Sequence, residues 1–321
     1  MRALVTGAAG FVGAGLVRAL RDLGHDVVAW HRPGGDPWRL ESLTKDVEVV
    51  ELDVTDPGAL ERGVEWARPD WVFHLAAHGA YSWQQDVERI MEVNLVSTVR
   101  LLDACVRRGV GAFVHAGSSS EYGFKDHAPS EDELPEPNSD YAVMKAAATL
   151  HCRSIAQRED VHAVTLRLYS IYGPWEEPGR LMPTLVVRGM EGRLPPLVSP
   201  DTARDFVTTG DLERAFLLAA ERSDLARGTV LNIGSGVQTT LRAVVEVARE
   251  ELGIEDEPAW GSEPPRSWDT NAWVADPRRA EELLGWRAKD DLRGGFRVLV
   301  DWMREHPELW QRYGVSSQAA L

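Results

Sequence analysis

Thr6-Gly7-Ala8-Ala9-Gly10-Phe11-Val12-Gly13 follows the short apolar run Arg2-Ala3-Leu4-Val5 and precedes a segment in which Leu16, Val17, Leu20 and Leu23 recur at helical spacing. The run before it reads as a buried strand, and Gly24 supplies a helix stop. Strand, glycine turn and helix in this order is the context a phosphate-binding turn requires. Glycines let the backbone turn sharply and approach a pyrophosphate, and the helix N-terminus turns free N–H groups and a positive dipole end toward it. Gly7, Gly10, Phe11 and Val12 are therefore assigned to a dinucleotide cofactor.

Working outward, Asp26-Val27-Val28-Ala29-Trp30 reads as the second strand, and it ends on His31-Arg32. An acidic residue at this place bonds the ribose 2′-hydroxyl of NAD; an arginine there suits a 2′-phosphate. His31 and Arg32 thus point to NADP(H), with NAD(H) as the alternative. Further strands are expected at Val47–Leu52, Trp71–Leu75, Ala112–Ala116 and Ala163–Leu168, and helices at Asp86–Arg108 and Ser139–Arg158. Regular βα alternation implies an α/β fold, a doubly wound parallel Rossmann-like sheet with ligands beyond the carboxyl ends of its strands. After Tyr172-Gly173-Pro174 the alternation breaks down.

Tyr141-Ala142-Val143-Met144-Lys145 places a phenol and an ammonium group four apart, on one helix face. A free tyrosine, with a pKa of about 10, is a poor acid or base at neutral pH. A neighbouring cation lowers that value, so Lys145 is expected to activate Tyr141.

These segments, with Asp53-Val54, Phe73-His74-Leu75-Ala76-Ala77, Asn94, Gly117-Ser118-Ser119-Ser120-Glu121-Tyr122-Gly123, Ile171-Tyr172-Gly173-Pro174 and Arg204-Asp205-Phe206-Val207, occur in an order that resembles the extended short-chain dehydrogenase/reductase family, in its branch acting on nucleotide sugars. Three features look most like the NADPH-dependent 4-keto-6-deoxy-sugar reductases: the Gly117–Gly123 string, the basic end of the second strand, and Asn232-Ile233-Gly234-Ser235-Gly236. The resemblance implies residues 1–173 as the dinucleotide-binding domain, a later segment of about 205–235 returning to it, and 174–321 as mainly a substrate lobe. It implies Tyr141 and Lys145 as catalytic, with one serine hydroxyl completing the set. Counting from the strand selects Ser119, and counting back from Tyr122-Gly123 selects Ser118, which is then left to the substrate. The strand is the firmer anchor, since loops absorb deletions.

The resemblance further places Asp53 and Val54 at the adenine, Leu75, Ala76 and Ala77 at the pyrophosphate and ribose, and Ile171 at the nicotinamide. Arg204 and Arg266 become candidates for the substrate's ribose and pyrophosphate, arginine being a planar multidentate donor. Glu121 is a candidate substrate contact, and a glutamate near this point serves related dehydratases and decarboxylases. The leading expectation is reduction of a 4-keto group on a nucleotide-linked sugar. The alternative is a 4-epimerase, dehydratase or decarboxylase that retains its NAD(P), and the third is a catalytically silent nucleotide-binding module. The family pairs the two long helices between subunits, which implies a homodimer.

Thirty-five basic against 50 acidic residues give a net charge of −15. That balance argues against nucleic acid or an anionic membrane as the partner. No apolar run reaches transmembrane length, and the chain enters a strand directly, so a cytoplasmic protein is expected. Cys105 and Cys152 lack metal-site spacing and read as buried free thiols; no metal is expected.

Overall fold

The structure, a computed structural model, describes residues 1–81, 83–264 and 270–314. Strands β1 (Arg2–Thr6), β2 (Asp26–His31), β3 (Glu48–Glu51), β4 (Trp71–His74), β5 (Ala112–Ser118) and β6 (Ala163–Leu168) form a parallel sheet. Helices α1 (Phe11–Asp22) and α2 (Pro57–Ala67) follow β1 and β3. Beyond β4 the chain forms α3 (Val87–Met91), a π-turn (Glu92–Val96) and α4 (Ser97–Arg108); α5 (Asp140–Arg158) leads to β6. The π-turn sits where Asn94 faces inward: its amide donates to the His78 and Ile90 carbonyls, and its Oδ1 accepts from His78 N–H.

Successive side chains of each strand point to opposite faces, and both sheet faces are covered. Val5, Phe73, Val114 and Leu166 pack on one side with Leu16, Val17 and Leu20 of α1. Leu4, Val28, Val72 and Phe113 pack on the other with Leu101, Leu102, Cys105 and Cys152. Both cysteines are buried free thiols, and burial raises the pKa of each. Fully burying a Leu, Val or Phe side chain contributes about 1.5–3 kcal/mol, so these two layers fix the sheet.

Beyond β6 lie β7 (Ser170–Tyr172), α6 (Leu181–Met190), β8 (Ala203–Arg204), β9 (Phe206–Thr208) and α7 (Thr209–Glu221). Next come β10 (Val230–Ile233), β11 (Thr239–Thr240), α8 (Leu241–Leu252), α9 (Arg278–Leu284) and α10 (Leu292–Glu305). β10 joins the sheet beside β6, giving the order β10-β6-β5-β4-β1-β2-β3, and Phe216 of α7 packs on the first face. β7 pairs with β9 and β8 with β11 as two small sheets. A separate core of Met182, Leu185, Val186, Val244, Val245, Phe296, Leu299 and Met303 holds the second lobe. The order reverses between β1 and β4, and at that switch point an open α/β sheet leaves its crevice.

Candidate active site

At the switch point Gly7 has φ +67°, and a Cβ there would lie 2.7 Å from Ala76 N. A Cβ on Gly13 would stand 2.3 Å from the Gly7 carbonyl oxygen. The turn is thus closed as far as backbone allows, and Thr6 Oγ1 fixes it to β4 by accepting from Ala76 N–H at 3.2 Å and bonding His74 Nδ1 at 2.7 Å. Asp56, Ser139, Thr208, Thr240 and Asp291 cap their helices with side-chain oxygens. α1 opens on exposed Gly10 with no side-chain cap and no acid in its first turn. An uncapped N-terminus facing a crevice fits a dinucleotide pyrophosphate. Phe11 and Val12 begin that helix, and Gly7 closes against Leu75 and Ala76, with Ala77 next in the chain.

Asp53 follows β3 at the carboxyl edge of the sheet. Its carboxylate accepts from Thr55 N–H at 2.9 Å and Thr55 Oγ at 2.8 Å, and faces Arg89 at 3.6 Å. Burial works to raise its pKa, but these donors hold it below the usual carboxylate range. Val54 is half-buried beside it. His31 ends β2 with Nδ1 3.1 Å from the Arg32 carbonyl. Arg32 is exposed and makes no ion pair among the described residues. Ile171 is buried in β7, in the core beside Val207 of β9.

Tyr141 and Lys145 lie on the first turns of α5, and the Lys145 ammonium stands 5.9 Å from the Tyr141 ring centroid. Lys145 is buried and donates to the Ala116 carbonyl at 2.9 Å. Burial lowers its pKa to about 8, with Glu121 opposing. Burial outweighs the lowering expected from the sequence: it pushes Tyr141 up to about 12, against a hydrogen bond from Ser118 that favours the phenolate. Sequence reasoning counted the charge of Lys145 but not the desolvation of both partners.

The hydroxyl beside Tyr141 is that of Ser118. β5 runs to Ser118, past the expected end at Ala116, because Gly117 and Ser118 pair with Arg167 and Leu168 of β6. Ser119 then opens a 3₁₀ turn (Ser119–Tyr122) and is buried. Ser120 was not singled out from the sequence, yet its half-exposed hydroxyl lies 2.7 Å from that of Ser118. The signal was the shortened turn itself, which brings residues two apart together.

Glu121 is fully buried and does not face the crevice. Its carboxylate accepts from Ser118 N–H at 2.9 Å, Thr149 Oγ at 3.0 Å and Arg167 Nε at 2.8 Å. Burial raises its pKa against these donors. Arg167 also donates to the Tyr122 hydroxyl at 2.7 Å, which donates to Asn232 Oδ1 at 2.8 Å. The glutamate expected at the substrate instead anchors a buried network behind Ser118. Arg204 lies at the end of β8, half-buried, with its guanidinium 5.7 Å from the Trp273 ring. Arg266 lies outside the described residues. Among the described residues no group of His, Cys, Asp and Glu could hold a metal, and no helix is long and apolar enough to cross a membrane.

A switch-point crevice with an open helix terminus on one side and a Ser–Tyr–Lys set on the other defines a dinucleotide-dependent enzyme that moves hydride and a hydroxyl proton. The chain belongs to the NAD dependent epimerase/dehydratase family, whose model matches residues 3–234. It is similar to the UDP-glucose 4-epimerase of Mycolicibacterium smegmatis, 31% identical with 95% of this chain and 99% of the relative covered. It is also similar to the dTDP-glucose 4,6-dehydratase of Streptomyces griseus, 30% identical with 96% and 95% covered. The crystal structure of the Thermus thermophilus UDP-glucose 4-epimerase in complex with NAD superposes with a TM-score of 0.84, at 30% identity and 95% and 99% coverage.

Proposed function

We propose that this protein is a 4-epimerase of a nucleotide-linked hexose, of the UDP-glucose type, that keeps its nicotinamide cofactor through the cycle. The relatives are epimerases and dehydratases, which supports the cofactor-retaining alternative over net 4-keto reduction. The observation that carries the choice between them is the burial of Glu121. Removing water across a sugar's C5–C6 bond requires a base for a carbon-bound proton. The carboxylate offered by the sequence is instead held by Arg167, Thr149 and Ser118 N–H, away from the crevice.

The remaining set moves a hydroxyl proton. The Tyr141 oxygen takes it from the sugar 4-hydroxyl and later returns it, and Ser118 bonds the same sugar oxygen. Lys145, fixed to the Ala116 carbonyl, holds a cation 5.9 Å from the Tyr141 ring. A bound nicotinamide cofactor, held at the Gly7–Gly13 turn, would supply a reversible hydride acceptor for the sugar's C4 and a positive charge that favours the Tyr141 phenolate. Arg204 contributes to holding the substrate's nucleotide. The experiment is cofactor stoichiometry: incubation with UDP-glucose and catalytic NAD⁺ yields the C4 epimer without net reduced cofactor. Formation of a 4-keto-6-deoxy product, or stoichiometric NADPH consumption by a keto-sugar, contradicts the proposal.

Two finer readings accompany it. Arg32, exposed and in no ion pair among the described residues, with no carboxylate ending β2, supports a preference for NADP(H) over NAD(H); tighter binding of NADH than of NADPH contradicts this. Val87, Met91, Val143 and Leu150 on α3 and α5 are exposed apolar residues, which supports pairing with a second copy of the chain. A monomer by light scattering at micromolar concentration contradicts that.

A further inference from the structure

The strap that joins β7 to α6, residues 174–180, crosses from one lobe to the other and is held from an unexpected place. Trp175 has φ +68°, a conformation that strains a non-glycine residue and persists only where its surroundings impose it. Its ring lies against the Arg18 guanidinium of α1 at 3.8 Å, and against Trp302 at 5.1 Å and Trp38 at 5.7 Å. Arg39, in the 3₁₀ turn (Trp38–Leu43) after β2, is 4% exposed. Its three nitrogens take three different partners. Nε donates to the Trp175 carbonyl at 2.7 Å, Nη2 pairs with Glu177 at 3.0 Å, and Nη1 donates at 3.3 Å to the carbonyl of Ala9 in the glycine turn.

We propose that Arg39 is a positioning residue that ties the glycine turn to the 174–180 strap, so that a dinucleotide seated on the turn orders the strap. A planar guanidinium with all three nitrogens engaged transmits a shift of one partner to the others, as a flexible ammonium cannot. The strap ends at Arg180, which pairs at 3.5 Å with the buried carboxylate of Glu176, so ordering the strap also sets that pair. Energetic coupling of this kind between two sites is reciprocal and typically 5–150-fold.

Hydrogen–deuterium exchange with the coenzyme alone tests this, independently of which sugar is the substrate. In the wild-type protein saturating NADH slows exchange both in the turn (7–13) and in the strap (174–180), the latter by about tenfold. In Arg39→Met the turn remains protected while the strap loses its response. Glu177→Gln removes only the ionic arm at a half-exposed residue, leaves folding intact, and gives an intermediate response. A wild-type strap indifferent to NADH, or one that responds equally in wild type and in the Glu177→Gln and Arg39→Met variants, overturns the proposal.

Discussion

Two turns lead from strand to helix at the carboxyl edge of the sheet, and they are built in opposite ways. The Gly7–Gly13 turn carries no polar side chain, fixes itself by backbone contact, and leaves the α1 N-terminus uncapped. The Gly117–Gly123 turn caps itself: Ser118 Oγ accepts from Ser120 N–H, and the Glu121 carboxylate accepts from Ser118 N–H. An open helix terminus is left for a ligand's phosphates, whereas a self-satisfied turn has no N–H to offer and instead presents a hydroxyl rigidly. The first turn therefore binds and the second positions.

The largest expected effect breaks the second turn. Glu121→Gln leaves the buried Arg167 guanidinium without its counter-charge, and removing one partner of a buried pair costs about 3–5 kcal/mol. Chemical denaturation should show that loss, whereas Asp53→Asn, beside the first turn at a half-exposed carboxylate, should cost well under half as much. Comparable losses would erase the distinction drawn between a positioning network and a ligand crevice.

The next effect is one of pH. Folded Lys145 releases its proton near pH 8, and an unfolded lysine near 10.5. Between these values the unfolded chain holds more protons, so wild-type stability rises with pH relative to Lys145→Met. The full excursion is about 3 kcal/mol, since each pKa unit is worth about 1.4 kcal/mol. A flat difference in unfolding free energy between pH 8 and 10.5 would show that the ammonium is solvated.

The two serines sharpen the comparison further. Ser118→Ala should lower kcat by about 10²-fold or more, as loss of a hydrogen bond to the reacting oxygen does, with cofactor affinity unchanged. Ser119→Ala should stay within a few-fold of wild type, its hydroxyl being buried in the turn. The reverse pattern would restore the assignment counted from the strand.

The parallel sheet and the glycine turn were legible because both are local. Strand, turn and helix follow one another within Arg2–Asp22, and the glycines mark where backbone must approach backbone. The six expected strands stand near their expected positions for the same reason, an apolar run between turn signals. The second turn was only half legible. Its residues were named, but whether Ser118 or Ser119 meets Tyr141 depends on β5 running two residues further, and that follows from pairing with β6. Glu121 read as a substrate contact because its partners Thr149 and Arg167 lie 28 and 46 residues away. Arg39 was invisible for the same reason, its strap partner Glu177 being 138 residues distant. The short pairs β7–β9 and β8–β11, of two or three residues each, carry no periodicity to read.

Whether Tyr141 and Ser118 serve a cofactor that gives its hydride back is tested most directly with UDP-glucose carrying deuterium at C4. The account predicts a C4-epimerised product that retains the label at C4, with no labelled nicotinamide released to solution. Label accumulating in free reduced cofactor, or a product epimerised with C4 fully protiated, would contradict it.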